Sequence, residues 1–364
     1  HGGLRIVAQV GGGAVYREVQ RAVDYERECR SAARQAPTYD FVSQYFVTAA
    51  IPLLLFKADL RRVFAETGRT LIAFALGVVG TMVGVLVALW FVPVGDDAAA
   101  IAAANTGGYI GGSLNFVAVA QMVGLDDPTR FSAVLAAETA MGLSYLLVLS
   151  VLPGTAWFAR WAARSTPEPK RSEHVEDAPA ASGGASADDA SQLQMWAGAL
   201  ALSLLVCAIG LWMARLVGVP DYALLFITAL AVLLANAAKG PLARIRGDTE
   251  LGMLLMFVFF AVFGAGTDLV GLVADAPVLL LFSATIVAIH AATLFGLGRI
   301  LGLDPREVAV ASNACLLGPP TAAAEAMRNG WDDLVTPGLL CGILGYVIGN
   351  FAGVTLFEIV SSLS

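Results

Sequence analysis

Five uncharged stretches, Thr70–Val94, Ala98–Leu125, Met195–Ala214, Val278–Gly298 and Leu334–Phe357, are each long enough to cross a lipid bilayer, which takes about 20 residues of helix. Shorter runs at 41–56, 222–238 and 251–267, and one at 131–152 that holds a single charge, fill the spaces between them. Backbone N–H and C=O groups find no water in lipid, so spans of this length must satisfy them internally as helices. The chain is 57% apolar and 14% charged, with mean hydropathy +0.73, far outside the soluble range. It reads as an all-α polytopic membrane protein in contact with the lipid bilayer. The net charge of −7 is spread over loops and points to no nucleic-acid partner. Cys29, Cys207, Cys315 and Cys341 lack metal-like spacing and read as small apolar residues.

Two stretches break this pattern. Residues 105–120 read Asn-Thr-Gly-Gly-Tyr-Ile-Gly-Gly-Ser-Leu-Asn-Phe-Val-Ala-Val-Ala, and 312–325 read Ser-Asn-Ala-Cys-Leu-Leu-Gly-Pro-Pro-Thr-Ala-Ala-Ala-Glu. Four glycines or a Gly-Pro-Pro at membrane depth free backbone groups that must face protein, water or a ligand. One such break in each half of a chain is the pattern by which secondary transporters build a binding site.

A polar stretch, 154–194, divides the chain into a membrane repeat at 41–153 and a second at 195–364. The last four elements of the second repeat echo the four of the first. Ala58-Asp59-Leu60 parallels Thr267-Asp268-Leu269, Asp126-Asp127 follows one break as Asp332-Asp333 follows the other, and Tyr145 and Tyr346 sit in the closing spans. Basic residues in short loops set orientation. If each break element enters and leaves on one side, Lys57, Arg61, Arg62, Arg69, Arg160, Arg164, Lys170, Arg171, Lys239, Arg244, Arg246, Arg299, Arg306 and Arg328 share a face and only Arg130 and Arg215 oppose them. That parity favours re-entrant hairpins or equivalent broken helices in two inverted-topology repeats. Residues 1–40, with Arg5, Arg17, Arg21, Arg27, Arg30 and Arg34 and no membrane-length run, read as a polar segment, truncated or atypical.

Each break presents half-helix ends, one suited to an anion and the other to a cation. Asn105, Thr106, Gly111, Gly112, Ser113 and Asn115 in the first motif, and Ser312, Asn313, Gly318 and Thr321 in the second, are the expected solute- or ion-binding residues. Na⁺ is expected near Asn115 and Asn313, because an amide both donates and accepts. Small residues also serve close helix packing, but two motifs at equivalent positions weigh against packing alone. Glu138 and Glu325 lie deep in apolar sequence and read as coupling residues for Na⁺ or H⁺. His290 reads as a hydrogen-bond donor between helices. Ser113 with His290 is the one nucleophile–base pair in the spans on which a membrane-embedded hydrolase could rest, and a passive channel is the other alternative.

Phe257-Val258-Phe259-Phe260-Ala261-Val262-Phe263-Gly264-Ala265, Ala288-Ile289-His290, Ala311-Ser312-Asn313-Ala314, Gly318-Pro319-Pro320-Thr321-Ala322, Pro337-Gly338 and Gly342-Ile343-Leu344-Gly345-Tyr346-Val347-Ile348-Gly349 together resemble the bacterial and plastid membrane family called domain of unknown function 819, also labelled YjcL-like. Gly107-Gly108-Tyr109-Ile110-Gly111-Gly112-Ser113-Leu114-Asn115 adds to the resemblance, which covers roughly 38–364. It implies kinship with the bile-acid:sodium symporter and cation:proton antiporter superfamily, with inverted repeats and paired discontinuous helices. The chain departs from the family pattern at Cys315-Leu316-Leu317-Gly318-Pro319-Pro320, where Asn-Ile-Gly-Gly-Pro-Ala is commoner, and at Glu138, where aspartate is commoner. The expectation is a secondary transporter of the inner membrane, not an enzyme and without cofactor. It would move a small polar or anionic organic solute with Na⁺ or H⁺, and a homodimer is compatible with it.

Overall fold

The computed structural model describes residues 37–165, 189–242, 245–266 and 269–363, and every regular element among them is helical. The helices are α1 (Pro37–Leu55), α2 (Leu60–Glu66), α3 (Arg69–Phe91), α4 (Ala98–Met122), α5 (Pro128–Val151), α6 (Ala156–Ser165), α7 (Asp189–Val217), α8 (Ala223–Ala237), α9 (Lys239–Leu242), α10 (Asp248–Gly266), α11 (Leu269–Ile300), α12 (Pro305–Leu316), α13 (Pro319–Arg328) and α14 (Asp332–Leu363). Six of them, α3, α5, α7, α8, α11 and α14, contain stretches long and apolar enough to cross a membrane. Large apolar side chains such as Trp90, Leu147 and Leu216 are exposed on the outside, where lipid would solvate them. The polar stretch expected over 154–194 carries helix at both ends, in α6 and the start of α7; 166–188 and 1–36 lie outside the described residues.

The element expected to break at 98–125 does so at Gly112, whose φ of 73° and ψ of 179° lie in a region open essentially to glycine alone. The two arms of α4 then fold back on each other. A Cβ added at Gly107 would stand 2.8 Å from Val119 Cγ2, and one at Gly108 would stand 3.1 Å from Phe116 Cβ, whereas a continuous helix would hold residues 107 and 119 about 18 Å apart. At the open end of this hairpin Arg130, in the first turn of α5, lies 3.7 Å from Asp97 and donates to the Val94 carbonyl. The chain therefore enters and leaves at one end of the bundle.

α12 and α13 repeat the arrangement about Gly318 (φ 92°, ψ −176°). Pro319 follows it, with no N–H to continue the ladder of α12. The arms are tied by Asn313 Nδ2 donating to Glu325 Oε2 at 2.6 Å, again across what would be about 18 Å of continuous helix. Arg306 at the start of α12 lies 3.7 Å from Asp333 at the start of α14, closing the base of this second hairpin. A capping box of Asp304 and Glu307, with Pro305 in the first turn, starts α12 here, as Asp127 and Pro128 start α5 beside the first hairpin.

The two hairpins open at opposite ends. Arg69, at the start of α3, donates to Gly302 O at 2.5 Å beside the base of the second hairpin, and the 23 residues of α3 then carry the chain about 34 Å to the base of the first. The end that holds the second hairpin's base collects the basic loops. Lys57 pairs with Asp248, Lys239 with Asp59, and Arg328 donates to Ser150 at the end of α5. α6 lies at this end, with Phe158 stacked on Trp331 at 6.0 Å and Trp161 against Phe295.

α14 packs along both hairpins. A Cβ at Gly338 or Gly342 would stand 2.6 Å from Val310 Cγ1 or 2.5 Å from Pro319 N in the second hairpin; one at Gly349 or Gly353 would stand 2.5 Å from Asn115 Nδ2 or 2.8 Å from Ala103 O in the first. α3 and α11 approach similarly, with Gly84 at 2.8 Å from Ile286 O by the same measure. These helices, with α5, form one packed group, while α1, α7, α8 and α10 pack mainly on one another. Gly342→Ala and Gly349→Ala should each lower detergent stability by about 1–3 kcal/mol through overpacking, read as a fall in melting temperature. Gly296→Ala, with nothing within 4 Å of its added carbon, should not lower it. Tags placed after Leu125 and after Met327 should report opposite sides of the membrane in intact cells.

Candidate functional site

The tips of the two hairpins meet on one side chain. Tyr346, midway along α14, places ring Cε1 3.5 Å from a Cβ position at Gly112 and its hydroxyl oxygen 3.4 Å from one at Gly318. Its backbone carbonyl accepts from Asn115 Nδ2 at 3.0 Å, and Cys315 Sγ donates to Tyr109 O at 3.3 Å, so the tips also touch directly. Each tip is a place where one half-helix ends and another begins. Free carbonyls and free N–H groups, with partial charges of both signs, thus lie within a turn of each other.

Beside the tips is a cavity of about 90 Å³ lined by Gly112, Ser113, Glu138, Thr139, Leu316 and Leu317. Glu138, 4% exposed on α5, accepts from Thr139 Oγ1 at 3.2 Å, and Tyr109 OH donates to its backbone carbonyl. A second cavity of about 160 Å³ lies towards the basic end, lined by Leu146, Ser150, Thr321, Ala324, Glu325 and Arg328. Glu325 is 3% exposed. A carboxylate in this setting costs about 2.5–3.5 kcal/mol at the centre of a membrane helix.

Three buried acceptors on the hairpins lack a donor: Asn115 Oδ1, Asn313 Oδ1 and Glu325 Oε1. Orphaned acceptors of this kind are rare in folded proteins, and a cation or a donating group of a solute would satisfy them. Among the described residues no three His, Cys, Asp or Glu side chains gather as a metal cage, so a cation held here would rely on these amide and carboxylate oxygens and on free carbonyls at the helix breaks.

The structure brings Gly111, Gly112, Ser113 and Asn115 together at one tip and Asn313 and Gly318 to the other, with Glu325 bonded to Asn313 about two turns along α13 from the break. It does not bring Asn105 and Thr106 to them: Thr106 Oγ1 donates to Ala102 O and Asn105 Nδ2 to Ile101 O, one turn back in the same helix, and Ser283 donates to Asn105 Oδ1 at 3.4 Å. Thr321 Oγ1 likewise donates to Gly318 O, three residues back. Ser312 is taken by a buried chain of hydroxyls: its Oγ is 2.7 Å from Tyr145 OH and 3.0 Å from His290 Nε2.

The pairing of Ser113 with His290 does not form. His290 Nδ1 lies 2.9 Å from Thr81 Oγ1 and 3.0 Å from Gly77 O, and its other nitrogen faces Ser312. A carbonyl only accepts, so Nδ1 donates to Gly77 and Nε2 accepts from Ser312 in the neutral ring. The histidine ties α11 to α3 and α12, the interhelical role its place in an apolar span suggested. Cys207, Cys315 and Cys341 are free and buried. The part played by Tyr346 was not read from the sequence beyond its echo of Tyr145, yet the glycines spaced three or four apart around it were the available signal, because they mark a helix face made for close approach.

The family model described as "Protein of unknown function (DUF819)" matches residues 30–363. "Uncharacterized membrane protein YjcL" of Bacillus subtilis (strain 168) is 33% identical over 333 residues, which cover 88% of this chain and 83% of that one. Asn313→Ala, which leaves Glu325 without its donor, should cost about 1.5–3 kcal/mol, the usual worth of a hydrogen bond to a charged group. Adding Glu325→Gln should recover most of the loss in denaturant titrations of the purified protein.

Proposed function

The chain belongs to the DUF819 family of membrane proteins, and from that premise we propose that it is a secondary active transporter. It carries a small polar or anionic organic solute across the plasma membrane, coupled to Na⁺ or H⁺, with no catalytic step. The observation that supports this reading best is the meeting of two broken-helix hairpins, opening at opposite ends, on Tyr346. Non-helical backbone at this depth is tolerated where it lines a cavity or binds a ligand, and transporters use it for that.

In this reading the two halves are inverted repeats. The hairpins with α3, α5, α11 and α14 form the moving group, and α1, α7, α8 and α10 the support, in keeping with the way the helices sort by packing. Asn115 and Asn313 hold the solute or its ion through their free amide oxygens. Glu138 and Glu325 carry the coupling charge. The basic end faces the cytoplasm, as Lys and Arg in short loops direct.

Thermal melting of the purified protein against organic acids, amino acids and sugars, with and without Na⁺ and at two pH values, tests this. A true solute at a hundred times its dissociation constant should add about 2.7 kcal/mol of stability, in an ion-dependent manner, and Asn115→Ala should abolish the shift. A cooperatively melting protein that responds to no compound and no ion would replace the transporter with a passive channel.

A further inference from the structure

The two cavities lie in series along one seam. On α5 the seam is lined at four-residue intervals, by Glu138 and Gly142 in the inner cavity and by Leu146 and Ser150 in the outer. Facing it, the second hairpin contributes Leu317 to the inner cavity and Thr321, Glu325 and Arg328 to the outer, also at three- to four-residue spacing. Residues three or four apart share a helix face, so the α5 wall is continuous and Thr321, Glu325 and Arg328 line one face of α13, with Leu317 just across the break at Gly318. Leu317 lines the inner cavity opposite Gly142, its Cδ2 3.1 Å from a Cβ position there, and is followed along the chain by Thr321 of the outer cavity. At the outer end Arg328 Nη1 donates to Ser150 Oγ at 2.6 Å.

We infer that this seam is the path by which the coupling cation reaches Glu138 from the basic end, with Glu325 as a station on the way and Leu317 as an apolar gate between them. The two buried carboxylates then act in sequence on one route. Each lines one of the two cavities, each lies on one of the two walls, and the unpartnered Oε1 of Glu325 is the acceptor at which a proton or Na⁺ pauses. A constriction closed by an apolar side chain stops ions by excluding water, and glycine at 142 on the opposite wall is what lets Leu317 close it. This rests on the reading of Glu138 as the coupling residue.

Leu317→Ala, reconstituted in liposomes without any solute, tests the path. Fluorescent H⁺ and Na⁺ reporters inside the vesicles follow the two cations separately. The expected result is a leak of one of them raised about tenfold over the unmodified protein, the equivalent of about 1.4 kcal/mol off a barrier, and returned to baseline by adding Glu138→Gln. The ion that leaks is the coupling ion. Should Leu317→Ala not melt cooperatively, Leu317→Val replaces it, with a smaller rise in the same direction. No leak of either ion through a cooperatively melting variant, or a leak that survives Glu138→Gln, overturns the path. A tight Leu317→Ala that still shows the ion-dependent melting shift with a solute would fail the path alone. A leak that needs Glu138, in a protein that binds no solute, would keep the path and fail the transporter.

Discussion

Close contact between the glycine face of α14 and both hairpins is the arrangement on which the remainder of the structure depends. An added Cβ at Gly342 or Gly349 would come within 2.5 Å of the neighbouring chain, a distance real side chains do not tolerate. In lipid the hydrophobic effect offers helices little reason to associate, so van der Waals contact and hydrogen bonds at short range must hold them. One helix thereby carries both hairpins. Its middle, at Tyr346, is the place where each tip turns.

Both tips use the same backbone solution. Gly112 and Gly318 share a conformation that L side chains do not adopt, with φ of 73° and 92° and ψ near 180°. The groups freed there are enclosed by α14, α5 and each other, which is why irregular backbone survives inside an apolar bundle. The same enclosure buries Glu138, Glu325, Asn115 and Asn313. The unsatisfied oxygens of Asn115, Asn313 and Glu325 are an energetic cost that packing alone does not require.

Much of this was legible in the residues. Apolar runs located the membrane-length helices, and the counting of Lys and Arg by loop favoured elements that enter and leave on one side. The bases of both hairpins, Asp97 with Arg130 and Arg306 with Asp333, have that geometry. Buried Glu138 and Glu325 were legible because a charge in an apolar run is costly. Which of Asn105, Thr106 and Thr321 turns to its own helix was not legible, because polar residues near a break look alike in sequence and rotamers and neighbours decide. Ser113 with His290 failed for a related reason, since Ser312, one residue from a glutamate-bonded asparagine, proved to be the hydroxyl within reach.

Local rules reach far in a membrane chain, because lipid punishes any unpaired backbone group and so forces helix wherever the run is apolar and unbroken. The helical class and the position of the breaks therefore follow from the order of residues. Contacts across more than 200 positions do not. Asn115 meeting Tyr346, His290 meeting Gly77 and Cys315 meeting Tyr109 depend on how the helices nest. Only the packed bundle decided that the tips converge on Tyr346, that α14 serves both, and that Leu317 faces Gly142, since each requires shape complementarity among segments far apart in the chain.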